Sequence, residues 1–395
     1  MMWWSCGGAE ASCVEPPRRT IQWSNLQRAT VMTGTRFVTL MYHNVLPRPE
    51  WGPLSRSVTR YFVTPECFAE HMHVLVSRAR CMTLSEVLGE STAASGAARP
   101  GAVGGGLPAV QLTFDDGWAG GFEYTAEVLR QHGWEATVFV TTGLIGHPLF
   151  VGEHALRSLK FGEFVIGAHS VSHAPLAELP GRRLREELSA SKRRLEDLTG
   201  RPVVAMSVPG GSTDRRVREA AAECGYRVVY TSVPRCNVLK CKAGIPDGRP
   251  ASDRAERPGS GRRTAPPEGD LQVFGRVAIT CGTTAADVER FVRGGLLGAR
   301  AAYAFRRGVR RLVGEELYAA IRTRLLGERP DGADMGDLLA ESRCAERPRA
   351  AIGRSRGCGP ETLSTGTAAG AAPGPVRSVA NRMCAADRAV REVPR

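Results

Sequence analysis

The run "AVQLTFDDGWAGGFEY" (109–124) ends an apolar stretch on two adjacent carboxylates, Asp115 and Asp116, followed at once by a glycine and an aromatic residue. Like charges side by side repel, so the pair needs a reason to stand there. Two imidazoles, His169 and His173, follow in "IGAHSVSH", again at the end of an apolar run, and His43 sits in "LMYHNV". One carboxylate and two imidazoles make a three-ligand set with an open position, the pattern of a catalytic zinc-type centre. The remaining carboxylate is then free to act as general base on a water activated there. The cation would also remove the repulsion between the aspartates and depress their pKa values. Taken singly, each piece has an ordinary explanation. Asp-Asp-Gly is commonly an Asx turn or helix start, His-x3-His is commonly surface, and a lone His43 is commonly a packed histidine. In combination they point to chemistry, because His71, His73, His132, His147 and His154 have no carboxylate in an equivalent place.

The elements that must position these residues alternate. Hydrophobic patterning predicts strands at 37–45, 109–114, 136–142, 164–168, 202–208 and 226–231, with a further one in "LQVFGRVAIT". Between them lie predicted helices, among them one opening on Thr64 and Pro65, then 118–132, 153–160, the Leu-striped 181–200 and 214–224. Strands alternating with helices at this period imply parallel strands with helical crossovers. In such sheets and barrels reactive residues gather at the carboxyl ends of strands, where Asp115, Asp116, His169 and His173 all stand. Further helices are expected at 285–292, 299–313 and 315–326. Residues 1–35 read as a disordered leader, 242–270, whose one aliphatic residue of any size is Ile245, as a disordered insert, and the Arg/Ala/Gly/Pro-rich 328–395 as a disordered tail.

"LTFDDGW", "GAHSVSH" and "SVPGG" resemble, in order and spacing, the first three motifs of the polysaccharide deacetylases (carbohydrate esterase family 4). The likeness runs over 36–232, with an echo at 274–279. It implies an α/β fold, a deformed (β/α) barrel with about seven parallel strands over 36–284, followed by C-terminal helices at 285–327. It also implies hydrolysis of an N-acetyl, or occasionally O-acetyl, group on a sugar polymer. Carried over residue by residue, Asp115 is the general base. Asp116, His169 and His173 bind a divalent metal, and Trp118, Pro209 and Gly210 lie against substrate. Zn²⁺ is the first expectation; Co²⁺, Ni²⁺ and Fe²⁺ also suit an Asp/His/His set.

Two departures from the family pattern stand out. The third motif often carries an arginine that orients the base, whereas this chain reads Ser207-Val208-Pro209-Gly210; Arg215, Arg216 or Arg276 could substitute. Many members also supply the general acid from a late histidine, yet nothing after His173 is histidine, which makes His43 the candidate acid. A phosphotransfer site with Mg²⁺ fits less well, since it has no use for His-x3-His. The non-enzymatic alternative is a degenerate deacetylase fold that binds a glycan or a polysaccharide-synthesis partner without turnover.

Bulk composition adds limits. The net charge of +13 is mostly arginine spread over helices and tails, without the aromatic interleaving of a nucleic-acid platform, so no nucleic-acid partner is expected. The arginine-rich stretch after 285 could meet an anionic membrane peripherally, although packing helices with a solvated basic face account for it more simply. Eleven cysteines without framework spacing, no leader-like start and no long apolar run lead to the expectation of a cytoplasmic protein. The polymer acted on and the oligomeric state are not legible at this level.

Overall fold

A computed structural model describes residues 34–90, 106–159, 162–240, 271–326 and 333–345. The expected leader, the insert 242–270 and most of the tail lie outside the described residues.

Six strands lie side by side in chain order, all parallel: β1 (Gly34–Tyr42), β2 (Ala109–Phe114), β3 (Ala136–Val140), β4 (Phe164–Ala168), β5 (Ala205–Ser207) and β6 (Val228–Tyr230). β7 (Asn237–Lys240) runs antiparallel along the first half of β1. The ring then closes in an unusual way. β8 (Gln272–Phe274) pairs in parallel with β6, and β9 (Val277–Ala278) pairs in parallel with β1. Only Gly275 and Arg276 separate β8 from β9, so the two act as one broken seventh strand. The result is a deformed (β/α) barrel of the kind expected, and the break in its last strand is the deformation.

β2, β3, β5 and β6 are buried on both faces, as parallel strands enclosed by helices must be. β2 is buried at every position. Alternation sorts its side chains. Val110, Leu112 and Phe114 join the large core shared with the helices, as do Val38, Leu40 and Tyr42 of β1. Phe37, Ala109, Phe139, Ala205, Tyr230 and Phe274 pack together on the other face. That inner face turns polar further along: Gln111 Oε1 accepts from Tyr230 Oη (2.9 Å), and Asn237 Nδ2 donates to Thr39 Oγ1 (3.2 Å).

The outer layer contains α1 (Pro65–Arg78), α2 (Ala119–Glu123), α3 (Ala126–His132), α4 (Glu153–Ser158), α5 (Gly181–Thr199) and α6 (Arg215–Glu223). Thr64 caps α1 by accepting from the Cys67 amide, as the Thr-Pro start predicts. The single helix expected over 118–132 is instead two, because the Thr125 hydroxyl bonds back to the Gly121 carbonyl (2.6 Å) and competes with the ladder.

α7 (Ala285–Val292) and α8 (Leu297–Leu326) follow, the latter broken at Gly314 (φ 77°), between the two helices expected there. One expectation fails. Within the stretch 328–395, read as disordered, α9 (Met335–Ala345) is a packed helix. Leu338 and Leu339 are buried against Phe62, Trp118, Leu144 and Phe150. Averaged over the tail, the composition conceals a short helical-period stripe, Met335, Leu338, Leu339 and Ser342, that suffices to dock one helix.

Candidate metal centre and active site

Strand parity explains where the two aspartates go. Ala109, Gln111 and Thr113 face the barrel interior, so Asp115 continues the same row past the end of β2. Its amide donates to the Tyr42 carbonyl (3.0 Å), extending the β1–β2 ladder by one step. Asp116 leaves the row because its backbone turns left-handed (φ 71°), and Gly117 follows at φ 84°. A Cβ on Gly117 would lie 3.1 Å from a Val140 methyl, so glycine is needed there for space as well as conformation. Non-glycine residues rarely adopt positive φ, yet Ser170 (64°) and His173 (53°) do so as well. All three positions cluster at one site, as functional strain does.

The carboxylate of Asp116 meets both imidazoles. Its Oδ1 lies 3.4 Å from His169 Nε2 and 3.3 Å from His173 Nε2, and its Oδ2 accepts from the Trp118 indole N–H (3.0 Å). His169 Nδ1 is 2.9 Å from the Ser207 carbonyl. A carbonyl only accepts, so Nδ1 carries the hydrogen and the Nε2 lone pair of a neutral His169 faces Asp116. Asp116 Oδ1 is buried without an aligned hydrogen-bond donor. Two acceptors aimed at each other in a buried place call for a cation between them. The three ligand atoms lie within 4.8 Å of one another. An N,N,O set of this kind suits a first-row divalent ion, so the residues present fit such a metal.

Asp115 is held quite differently. Arg276, wholly buried, bonds it through both nitrogens, Nη1 to Oδ1 and Nη2 to Oδ2, each at 2.7 Å. Ser207 Oγ accepts from Arg276 (2.7 Å) and donates to Asp115 Oδ2 (3.2 Å). Arg276 also donates to the Thr231 carbonyl and to Thr113. Of the three arginines weighed from the sequence, Arg276 is the one beside Asp115. Arg215 and Arg216 are engaged on the surface with Glu219 and with the Leu179 carbonyl. Arg276 occupies the break in the closing strand, in the same inward row as Phe274. A lone charge inside "VFGRVAIT" was the available signal for a buried ion pair.

Electrostatics follow from this packing. Burial pushes Asp115 up, but Arg276, His169 and His43 together hold it below the usual carboxylate range. Burial likewise raises Asp116, and the two histidines outweigh it, leaving it well below that range. Burial lowers His169, yet Asp115 and Asp116 carry it above the ordinary histidine value. His43 ends on the low side, because burial outweighs the pull of Asp116 and Asp115. Its ring stacks on Tyr61 (centroids 4.5 Å apart), and its buried Nδ1 has no partner among the described residues.

The remaining expected residues divide. Trp118 is 2% exposed and wedged between Phe62 and Phe150, with its N–H on Asp116. It therefore has no open face for a sugar and serves to aim the carboxylate. Pro209 is buried, whereas Gly210 is exposed, in a left-handed turn (φ 65°) just past the end of β5. Sequence reading missed Ser207 and Glu187, whose roles depend on neighbours distant in the chain.

A largely parallel barrel carries an Asp-His-His cluster at its strand ends, the arrangement that the sequence motifs led one to expect. Residues 104–229 match the family model for polysaccharide deacetylase. YxkH of Bacillus subtilis, named provisionally as a polysaccharide deacetylase, is 26% identical over 125 residues, 32% of this chain and 45% of that protein. The chain thus spans less than half the length of the curated relatives it matches. Among solved structures, the polysaccharide deacetylase BC0361 of Bacillus cereus aligns with a TM-score of 0.48 at 20% identity, over 66% of this chain and 69% of that one. IcaB of Ammonifex degensii aligns at 0.45 and 20%, over 66% and 98%.

Proposed function

We propose that the chain is a metal-dependent hydrolase that removes N-acetyl, or O-acetyl, groups from a carbohydrate polymer. The observation that carries this reading is the division between the two aspartates: one clamped by Arg276, the other presenting an unmatched oxygen to two imidazoles. Asp116, His169 and His173 would hold the divalent ion, with Zn²⁺ the first candidate. When bound, it supplies Lewis-acid polarisation of the acyl carbonyl and a water that ionises near neutral pH.

Asp115 takes the proton of the attacking water as the carbon–oxygen bond forms. Arg276 keeps Asp115 ionised and fixes its plane, so that a lone pair left free by the bidentate pair faces the reaction. Proton delivery to the leaving nitrogen, as the carbon–nitrogen bond breaks, falls to His43 through its unpartnered Nδ1. Burial keeps that ring neutral at rest, so the proton it delivers is the one Asp115 took from water, passed on to His43 before the carbon–nitrogen bond breaks. Gly210, exposed just past the end of β5, and the buried Pro209 before it are the residues assigned to meet the sugar.

The alternative of a binding protein without turnover rested on two missing family residues. Arg276 fills one of those gaps, which favours the enzyme. The test is acetate release from N-acetylglucosamine oligomers by chelator-stripped protein reloaded with Zn²⁺ or Co²⁺. Release that depends on metal and vanishes in Asp115→Asn and His173→Ala supports the reading; metal uptake without acetate from any oligomer would sink it.

A peripheral contact of α8 with an anionic membrane has its own support. Leu297, Phe305 and Leu312 are 81%, 72% and 87% exposed. At about 100° per residue they fall within roughly 80° of one another, with Arg300 and Arg307 alongside. Sedimentation with anionic but not neutral vesicles, lost in Phe305→Asp, is the expected result. Equal sedimentation with both kinds, or none, removes this contact.

A further inference from the structure

Glu187 is a carboxylate the proposed chemistry does not use. It lies on α5, inside the leucine face, and is 1% exposed. A charge on the buried side of an amphipathic helix is costly unless it is bound. Its hydrogen bonds go to the loop between the two metal-ligand histidines, and an ion pair joins it to its own helix. Oε2 accepts from the backbone N–H groups of Val171 and Ser172, each at 2.8 Å, and Oε1 accepts from Ser172 Oγ at 2.7 Å. Arg183, one turn earlier and half exposed, lies 3.2 Å from Oε1.

Successive N–H groups that converge on one anion form a nest, and this nest depends on Ser170 at φ 64°. The same left-handed turn lets the Ser170 hydroxyl accept from the His173 amide (3.0 Å) and brings His173, itself left-handed, back to Asp116. Without an anion the two half-buried amides would lose their partners, and the loop would have reason to relax toward ordinary φ.

We propose that Glu187 is a positioning residue for the metal centre: its carboxylate fills the 170–172 nest and so sets the reach of His173 toward Asp116. This rests on the reading of Asp116, His169 and His173 as metal ligands. The helix thereby fixes a ligand to which it is not otherwise joined, a role outer hydrogen-bond partners of ligands commonly play.

The test measures metal binding, not turnover. Full-length wild type, Glu187→Ala, Glu187→Gln and Glu187→Asp are stripped, and Zn²⁺ affinity is measured by competition with a chromophoric chelator, beside melting of the metal-free proteins. Glu187→Ala is expected to weaken binding by about 10- to 100-fold. Glu187→Gln keeps the length and one acceptor for the two amides, so it recovers most of the affinity. Glu187→Asp keeps the charge but falls one bond short of the loop, so it behaves like alanine and carries the test if the alanine variant does not fold. His173→Ala added to Glu187→Asp should cost little further, because both act on one ligand. Affinity within about twofold of wild type in a folded Glu187→Ala or Glu187→Asp protein overturns the proposal alone, as does a full extra loss on adding His173→Ala. A wild type that takes up no Zn²⁺ overturns both this proposal and the ligand assignment beneath it.

Discussion

At the scale of single residues, the pairing of Arg276 with Asp115 makes a quantitative demand. Both groups are buried, and a buried pair stripped of one partner leaves a charge without compensation. Arg276→Met should therefore destabilise the fold by about 3–5 kcal/mol in denaturant titration. It should also release Asp115 from the cation that holds its pKa down, so the acid limb of the pH–rate profile shifts to higher pH; an unmoved limb would separate Arg276 from the base. His169 carries the opposite sign. Its pKa is raised by Asp115 and Asp116 above the ordinary 6.5, so in the metal-free protein the charged ring contributes stability that is full below that value. That stability is lost as pH rises through the raised one. The same proton competes for Nε2, so Zn²⁺ affinity should increase over this interval, with proton release measurable by calorimetry in buffers of different ionisation enthalpy. His43→Ala should lower kcat by about 10²- to 10⁴-fold with metal content unchanged, and wild-type turnover would remove His43 as the acid.

At the scale of elements, the helix Met335–Ala345 behaves as part of the barrel domain. Leu339 packs toward Gly143, whose amide bonds to the Val171 carbonyl (2.9 Å), and Ala333 exchanges backbone hydrogen bonds with Pro53 and Ser55. It thus braces the loop after β3 that lies against the histidine loop. Leu338→Ala should cost about 2–5 kcal/mol and raise amide exchange at 142–145, whereas an independent tail would leave both unchanged. This helix was hidden to reading by composition. The βα alternation was plain, because Val110, Leu112 and Phe114, or Leu184, Leu188, Leu195 and Leu198, announce their period over a short window. The strand over 205–207 is shorter than the apolar run around it, since pairing partners, and not hydrophobicity, decide where a ladder stops.

At the scale of the whole molecule, closure is non-local. The family match ends at residue 229, yet the ring is completed by 272–278 pairing with both β6 and β1. A fragment ending at residue 270 would leave β6 and the second half of β1 each without a neighbour on one side and remove Arg276 from beside Asp115. Such a fragment should fail to show a cooperative melt, while one ending at residue 345 should keep it. Cooperative unfolding of the shorter piece would show that the closing strand is dispensable.

Local chemistry and short-period patterning were determined by the sequence itself. Neighbouring aspartates after an apolar run, two histidines four apart, and strands alternating with helices all depend on spacings of a few residues, which the backbone converts directly into position. Tertiary structure alone decided which arginine meets Asp115, that Trp118 aims a carboxylate instead of lining an open cleft, and that Glu187 reaches the histidine loop. Those partners lie as far apart as 161 positions in the chain. For Arg276 and Glu187 nothing in the local spacing encodes the meeting; it comes from strand order and from the need of buried charges and amides for partners.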